Sequence, residues 1–147
     1  MRGAARVLMR AGATVSGSDR KESGALVLLS EQGVDIHIGS KPGHVPDGCG
    51  LVVHSAAVKD SDPELGEAVR RGVKVVKYSQ LLGLLMSRRM GIAVAGTHGK
   101  STTTAMIAYV LRQAGRDPSF VIGAGVEQLG GGSGVGDGEQ FVVEACE

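Results

Sequence analysis

An apolar run that breaks into a glycine-bracketed turn and then into a row of hydroxyl residues is the feature that most constrains the fold of this chain. Residues 90–95 read Met-Gly-Ile-Ala-Val-Ala, and residues 96–104 read Gly-Thr-His-Gly-Lys-Ser-Thr-Thr-Thr. A buried strand, a tight loop and a helix in this order form the phosphate-binding unit of α/β proteins. The segment therefore predicts an α/β fold and a protein that uses a nucleoside triphosphate.

The loop contains each chemical group that a triphosphate requires. Glycines let backbone N–H groups surround phosphate oxygens, Lys100 adds a positive charge, and the Ser101 hydroxyl can ligate Mg²⁺. The common template with a glycine six residues before the lysine fails, because Val94 stands there. The alternative without function is a turn in which Ser101 or Thr102 only caps the helix. The predicted phosphate-binding residues are Gly96, Thr97, His98, Gly99, Lys100, Ser101 and Thr102.

Composition narrows the class of protein. The 147 residues carry 16 Lys and Arg against 15 Asp and Glu, so no nucleic-acid partner is expected. Cys49 and Cys146 lie far apart and belong to no metal-binding pattern, which favours a reducing, cytoplasmic setting. No apolar stretch approaches the roughly 18 residues of a membrane helix, and no membrane insertion is expected.

Strands and helices alternate along the chain. Hydrophobic spacing and capping residues predict helices over 3–11, 23–32, 63–71, 78–86 and 101–114, and strands over 13–19, 34–38, 51–55, 73–76, 90–95, 119–122 and 141–143. Short glycine-containing turns between them indicate a doubly wound parallel sheet. The glycine-rich segment 123–138 is expected to be a mobile loop or a surface turn.

The order of the elements predicts two domains. Residues 1–88 are expected to form a Rossmann-like domain, and residues 89–147 the first part of a P-loop-type α/β domain. The chain opens on a helix, so we expect the first strand and glycine-rich loop of the Rossmann unit to lie upstream of Met1. The last strand is barely finished at Glu147, so we expect the second domain to continue beyond it.

Two acidic residues follow strands and are candidate ligands. Glu144 ends the last predicted strand, where a carboxylate could hold Mg²⁺; the alternative is a solvated acid at a strand end. Asp19 ends the second strand of the expected Rossmann unit, where such sheets place a ribose-binding acid. A helix cap for residues 23–32 explains Asp19 equally well. His37, His44 and His54 show no partner by spacing and are interpreted as structural.

These residues resemble the Mur ligases of bacterial peptidoglycan synthesis. The resemblance covers essentially the whole chain and is strongest over residues 91–106, where the family's tight loop explains the missing glycine at position 94. Supporting segments are residues 15–19, 53–58, 72–86, 120–123 and 141–145. His98 is similar to the members that add L-alanine, and Cys146 departs from the family's more common Asp.

The resemblance implies a reaction and a set of substrates. It implies an ATP-dependent ligase that joins L-alanine to UDP-N-acetylmuramate through an acyl phosphate, with Mg²⁺ accompanying ATP. Lys100 and His98 would be catalytic, Ser101 and Glu144 would hold the metal, and Asp19 and Ser55 would contact the UDP part of the substrate. For His98, a turn histidine that bonds a neighbouring carbonyl remains the alternative.

Three other functions remain open at this point. One is the related ligase that attaches a recycled peptide to the same UDP-muramate. A second is a P-loop kinase or GTPase, which the domain expected ahead of the loop disfavours. The third is a truncated product without catalysis, and we expect residues 1–147 by themselves to lack ligase activity.

Overall fold

The computed structural model describes residues 1–145 and forms two compact units. One unit is Gly12–Tyr78, and the other joins Met1–Ala11 to the chain from Ser79 onward. The helices are α1 (Arg2–Arg10), α2 (Gly24–Glu31), α3 (Pro63–Arg70), α4 (Tyr78–Met86) and α5 (Lys100–Gln113). The strands are β1 (Ser16–Asp19), β2 (Asp35–Ile38), β3 (Leu51–His54), β4 (Lys74–Lys77), β5 (Met90–Val94), β6 (Ser119–Val121), β7 (Ser133–Gly134) and β8 (Gln140–Glu144).

The unit Gly12–Tyr78 alternates strands and helices as predicted. Strand β1 pairs in parallel with β2, and β3 pairs in parallel with β4; within the described residues the two pairs form separate two-stranded sheets. Helix α3 begins where the sequence predicts, because Asp62 Oδ1 accepts a hydrogen bond from the Glu64 amide at 3.0 Å and Pro63 occupies the first turn.

The other unit contains a four-stranded sheet with the strand order β5-β8-β6-β7. Strands β5, β8 and β6 are parallel, and β7 is antiparallel to β6. Helix α5 covers one face of this sheet, where Ala108 packs with Phe120 and Val142. Helix α1 packs on the opposite face, where Gly3 lies against Val121 and Ser133. The prediction of an α/β fold with parallel sheets is confirmed.

The glycine-rich segment 123–138 is packed and includes a turn with exposed residues, so the expected surface turn is present and the expected mobile loop is not. It contains β7 and a 3₁₀ turn, Glu127–Leu129, whose Leu129 is buried in the core. Arg89 Nη1 donates to the carbonyls of Gly136 at 2.9 Å and Gly138 at 2.8 Å. A Cβ at Gly136 would overlap the Asp117 carbonyl, so glycine here permits close backbone packing.

The two compact units meet after Ala11 and after Tyr78, whereas the sequence predicts a boundary between residues 88 and 89. Helix α1 was expected in the first domain, yet it packs with β6 and β7, and Arg10 donates to the Val135 carbonyl at 2.8 Å. Helix α4 leads into β5 through only residues 87–89, so most of it belongs to the same unit as β5. The assignment of the two units to substrate and nucleotide remains a prediction.

Close packing of α1 leads to a testable prediction. A Cβ at Gly3 would lie 2.9 Å from Ser133 Cβ and 3.0 Å from Val121 Cγ1. We therefore expect Gly3→Val to lower the free energy of unfolding by about 1–3 kcal/mol, the usual effect of overpacking, measured by urea denaturation. The control is Gly66→Val in α3, where nothing lies within 4 Å. Equal unfolding curves for the two variants would contradict this packing.

Candidate functional site

The loop between β5 and α5 takes its shape from two glycines. Gly96 has φ +147° and Gly99 has φ +73°, values in the region that side chains disfavour. Gly99 is the N-cap of α5, and the helix begins at Lys100. The alternative interpretation, in which Ser101 or Thr102 caps the helix, is therefore wrong.

The loop and the first turn of α5 surround an open cleft of ≈ 330 Å³. Seven residues line it: Thr97, His98, Gly99, Lys100, Ser101, Thr102 and Glu144. Unpaired N–H groups and the positive end of the dipole of this 14-residue helix face the cleft, which makes it suited to an anion. The structure thus brings together six of the seven predicted phosphate-binding residues, and Gly96 lies at the base of the same loop.

Lys100 is anchored at its backbone and folded at its side chain. Its carbonyl accepts a hydrogen bond from Thr104 Oγ1 at 2.7 Å, and Thr104 is fully buried. Its Nζ donates to the Gly96 carbonyl at 2.6 Å, so the ammonium group crosses the loop. A phosphate in the cleft would offer this cation a stronger, charged acceptor than the carbonyl.

Ser101 and Glu144 meet although they are distant in sequence. Ser101 Oγ donates to Glu144 Oε2 at 2.9 Å, and the Gly123 amide donates to the same oxygen at 2.7 Å. Glu144 ends β8, which pairs with β5, and its register partner is Val94 just before the loop. Glu144 is half-buried, so the alternative of a merely solvated strand-end acid is wrong.

The fit of this pair to Mg²⁺ follows from its chemistry. Ser101 gives its only proton to Glu144, so the hydroxyl lone pairs remain for a cation. A carboxylate and a hydroxyl are the hard oxygen ligands that Mg²⁺ takes together with phosphates and water. Within residues 1–145, no group of three or more His, Cys, Asp and Glu side chains is arranged to hold a metal without such help.

His98 lies on the exposed rim of the cleft. Its Nδ1 is 3.3 Å from Thr97 Oγ1, which is a contact with a side chain and not with the neighbouring carbonyl that the alternative required. The ring therefore lines the place where a bound phosphate would lie. Its catalytic role remains a prediction.

The two residues predicted to bind the UDP part lie in the unit Gly12–Tyr78. Asp19 is exposed at the carboxyl end of β1, and α2 has Ser23 as its N-cap, so the capping alternative for Asp19 is wrong. Ser55 follows β3, and its carbonyl accepts a hydrogen bond from the Val58 amide at 3.1 Å. Asp19 is the last residue of one parallel strand and Ser55 directly follows another, and their binding role stays a prediction.

Two histidines that the sequence left without partners form a polar cluster in the same unit. The His37 and His44 rings stack with centroids 4.3 Å apart. His44 Nδ1 lies 3.1 Å from Glu64 Oε1 and 3.5 Å from Ser18 Oγ. Because the serine and the carboxylate share one ring nitrogen, the cluster is not a nucleophile relay, which needs opposite nitrogens. The interpretation of His37 and His44 as structural remains a prediction.

Sequence reasoning missed Gly123 as a residue of the site. The available signal was a glycine two residues after β6, at the same end of the sheet as Glu144 on the neighbouring strand. Cys146, which departs from the family's more common Asp, lies outside the described residues. No helix among residues 1–145 is long and apolar enough to cross a bilayer.

Comparison with known proteins gives one family. The sequence pattern described as "Mur ligase family, catalytic domain" matches residues 1–90. A UDP-N-acetylmuramate–L-alanine ligase of Persephonella marina is 44% identical over 147 residues, which is 100% of this chain and 32% of that protein. The enzyme of the same name from Thermobifida fusca is 45% identical over 100% of this chain and 31% of its own length.

Solved structures agree with this family. UDP-N-acetylmuramate–alanine ligase from Thermotoga maritima superposes with a TM-score of 0.89 at 29% identity, covering 98% of this chain and 34% of that one. UDP-N-acetylmuramate:L-alanyl-γ-D-glutamyl-meso-diaminopimelate ligase from Neisseria meningitides has a TM-score of 0.89 at 28% identity, covering 99% and 48%. The chain thus spans about a third of the length of the curated relatives it matches.

Proposed function

The chain belongs to the Mur ligase family, and from this membership we propose that it forms part of an ATP-dependent ligase that joins L-alanine to UDP-N-acetylmuramate. The observation that carries the proposal is the junction of the phosphate loop with a carboxylate, in which Ser101 Oγ lies 2.9 Å from Glu144 Oε2. The names of the relatives at 44–45% identity support the choice of L-alanine and UDP-N-acetylmuramate.

The proposed reaction has two steps. A muramate carboxylate oxygen attacks the γ-phosphorus of ATP, the bond to the β-phosphate oxygen breaks, and ADP leaves. The amine of L-alanine then attacks the carbonyl carbon of the acyl phosphate, inorganic phosphate leaves, and the nitrogen loses a proton. Phosphoryl transfer of this kind depends mainly on positioning and on compensating negative charge.

The loop residues supply that charge compensation. The N–H groups of residues 97–101 would hold phosphate oxygens, and the Lys100 ammonium would exchange the Gly96 carbonyl for the β- and γ-phosphates. His98, on the rim of the cleft, would face the acceptor carboxylate and orient it through a hydrogen bond from its ring N–H. Each group acts on charge that develops during transfer, so each lowers the barrier and not only the dissociation constant.

Mg²⁺ would be held by Ser101 and Glu144 and would neutralise charge on the phosphate oxygens. The two side chains are already brought together by a hydrogen bond, so little ordering is needed when the ion arrives. Thr102, which also lines the cleft, is the alternative hydroxyl ligand.

We assign the UDP part of the substrate to the unit Gly12–Tyr78, with Asp19 and Ser55 as its contacts. Both lie at the carboxyl ends of parallel strands, where ligands of Rossmann-like sheets bind. We place the reaction in the cytoplasm, where ATP is available and where a chain with two widely spaced cysteines needs no disulfide.

A second candidate is the ligase that attaches a recycled tripeptide to UDP-N-acetylmuramate. It is favoured by the equal TM-score of 0.89 with the solved ligase of that kind. The two candidates differ only in the amine. Phosphate release by the protein that contains this sequence, compared with L-alanine and with L-alanyl-γ-D-glutamyl-meso-diaminopimelate, distinguishes them.

The test of the proposal is a titration of the chain with a fluorescent ATP analogue at increasing MgCl₂. We expect saturable binding that strengthens with Mg²⁺. Glu144→Gln keeps the shape and removes the charge, so it should raise the Mg²⁺ concentration at half-saturation by about tenfold or more. Glu127→Gln, on the exposed turn of the same unit, is the control. Binding of the ATP analogue to the unmodified chain that does not depend on the Mg²⁺ concentration would refute the proposal.

A further inference from the structure

The Glu144 carboxylate is held from two sides, and one of them is main chain. Ser101 Oγ and the Gly123 amide both donate to Oε2, at 2.9 Å and 2.7 Å. The Gly123 amide follows Ile122, the buried residue directly after β6, so its position is set by the sheet. A backbone donor has no side-chain rotamers to lose, which makes it a rigid anchor for the carboxylate.

Residue 123 has little room for a side chain. A Cβ there would lie 2.9 Å from Glu144 Oε2, 3.3 Å from Cδ and 3.4 Å from Oε1. The backbone of Gly123 does not have the positive φ that side chains avoid. The obstacle to a larger residue is therefore the carboxylate itself and not the backbone conformation.

We propose that Gly123 is a positioning residue for the magnesium site, which holds the Glu144 carboxylate against Ser101 through its N–H group and its lack of a side chain. This inference rests on the proposed function. Both donors bond to Oε2 of Glu144. Among the described contacts, Oε1 is therefore the carboxylate oxygen that remains to face a cation. A methyl group at 123 would move the carboxylate away from Ser101 and separate the two proposed ligands.

The test compares two alanine variants of the same loop. Gly123→Ala places a methyl group against Glu144, whereas Gly125→Ala meets nothing within 4 Å and also lacks a positive φ. Fluorescent ATP analogue is titrated into each chain at increasing MgCl₂ and again in EDTA. We expect Gly123→Ala to raise the Mg²⁺ concentration at half-saturation by about 10- to 100-fold. This is the usual effect of changing a residue that hydrogen-bonds to a metal ligand and orients it.

Binding in EDTA should be unchanged in both variants, because the phosphate loop itself is untouched. Gly125→Ala should match the unmodified chain at every Mg²⁺ concentration. Thermal unfolding of the same samples measures any general loss of stability. An unchanged Mg²⁺ requirement in Gly123→Ala would overturn the inference.

A double-variant cycle separates positioning from a structural role. In a Glu144→Ala background the carboxylate is gone, so a methyl group at 123 has no carboxylate to displace. Gly123→Ala should then have no further effect on the Mg²⁺ requirement. Equal effects in both backgrounds would overturn the inference while leaving the proposed function intact. Absence of Mg²⁺-dependent binding in the unmodified chain would instead overturn both.

Discussion

Lys100→Ala is expected to weaken ATP binding by about 10- to 100-fold, the effect of removing a hydrogen bond to a charged group worth about 1.5–3 kcal/mol. The ammonium group is a cation of the loop that lines the cleft, and its 2.6 Å contact with the Gly96 carbonyl places it across that loop. The helix should persist, because the Thr104 hydroxyl bonds to the backbone carbonyl of Lys100, which alanine retains. Isothermal titration with MgATP measures the loss.

The control for this prediction is Lys74→Ala. Lys74 is an exposed lysine at the start of β4, in the unit Gly12–Tyr78, so it matches the change in net charge without touching the loop. ATP affinity should be unchanged in that variant. Equal affinities of the Lys100 and Lys74 variants would show that the loop does not bind the phosphates through its lysine.

Phe141→Ala is expected to lower the free energy of unfolding by about 3–5 kcal/mol, as for other buried aromatic residues cut to alanine. Phe141 is 1% exposed and lies on β8, which pairs with both β5 and β6. The cavity would therefore lie beside β8, a central strand of the sheet that carries the predicted phosphate loop. Urea denaturation followed by far-ultraviolet circular dichroism measures the change.

Met106→Ala is the control for this second prediction. Met106 is a large apolar residue on α5 but is 63% exposed, so its truncation removes little buried surface. Its unfolding curve should stay close to that of the unmodified chain. If the Phe141 variant were as stable as the Met106 variant, the sheet order β5-β8-β6-β7 would not describe the core of this unit.

Local signals in the sequence were sufficient for most elements. The pattern predicted α4 at its observed bounds, Tyr78–Met86, and the Asp62-Pro63 pair marked the start of α3. The loop predicted to bind phosphate was located for the same reason, because a strand, a glycine turn and a helix adjoin along the chain. Such features depend on neighbours within a few residues, which a single sequence displays directly.

Features that depend on distant residues were not predictable in the same way. The packing of α1 on β6 and β7 involves residues more than 100 positions apart, and nothing in residues 1–11 names those strands. The glycine-rich segment 123–138 looked mobile because its composition is that of a flexible loop. Its order comes from backbone packing against residues 116–118 and from the Arg89 contacts.

By itself, the sequence determined the fold class, the position of the loop that carries Lys100 and Ser101, and the family, since all three depend on the order of residues along the chain. Only the tertiary structure decided that Glu144 meets Ser101 and that Gly123 holds the carboxylate there. The pairing of β8 between β5 and β6 brings these three residues together. Strand order arises from long-range hydrogen bonds and burial, which local sequence patterns do not encode.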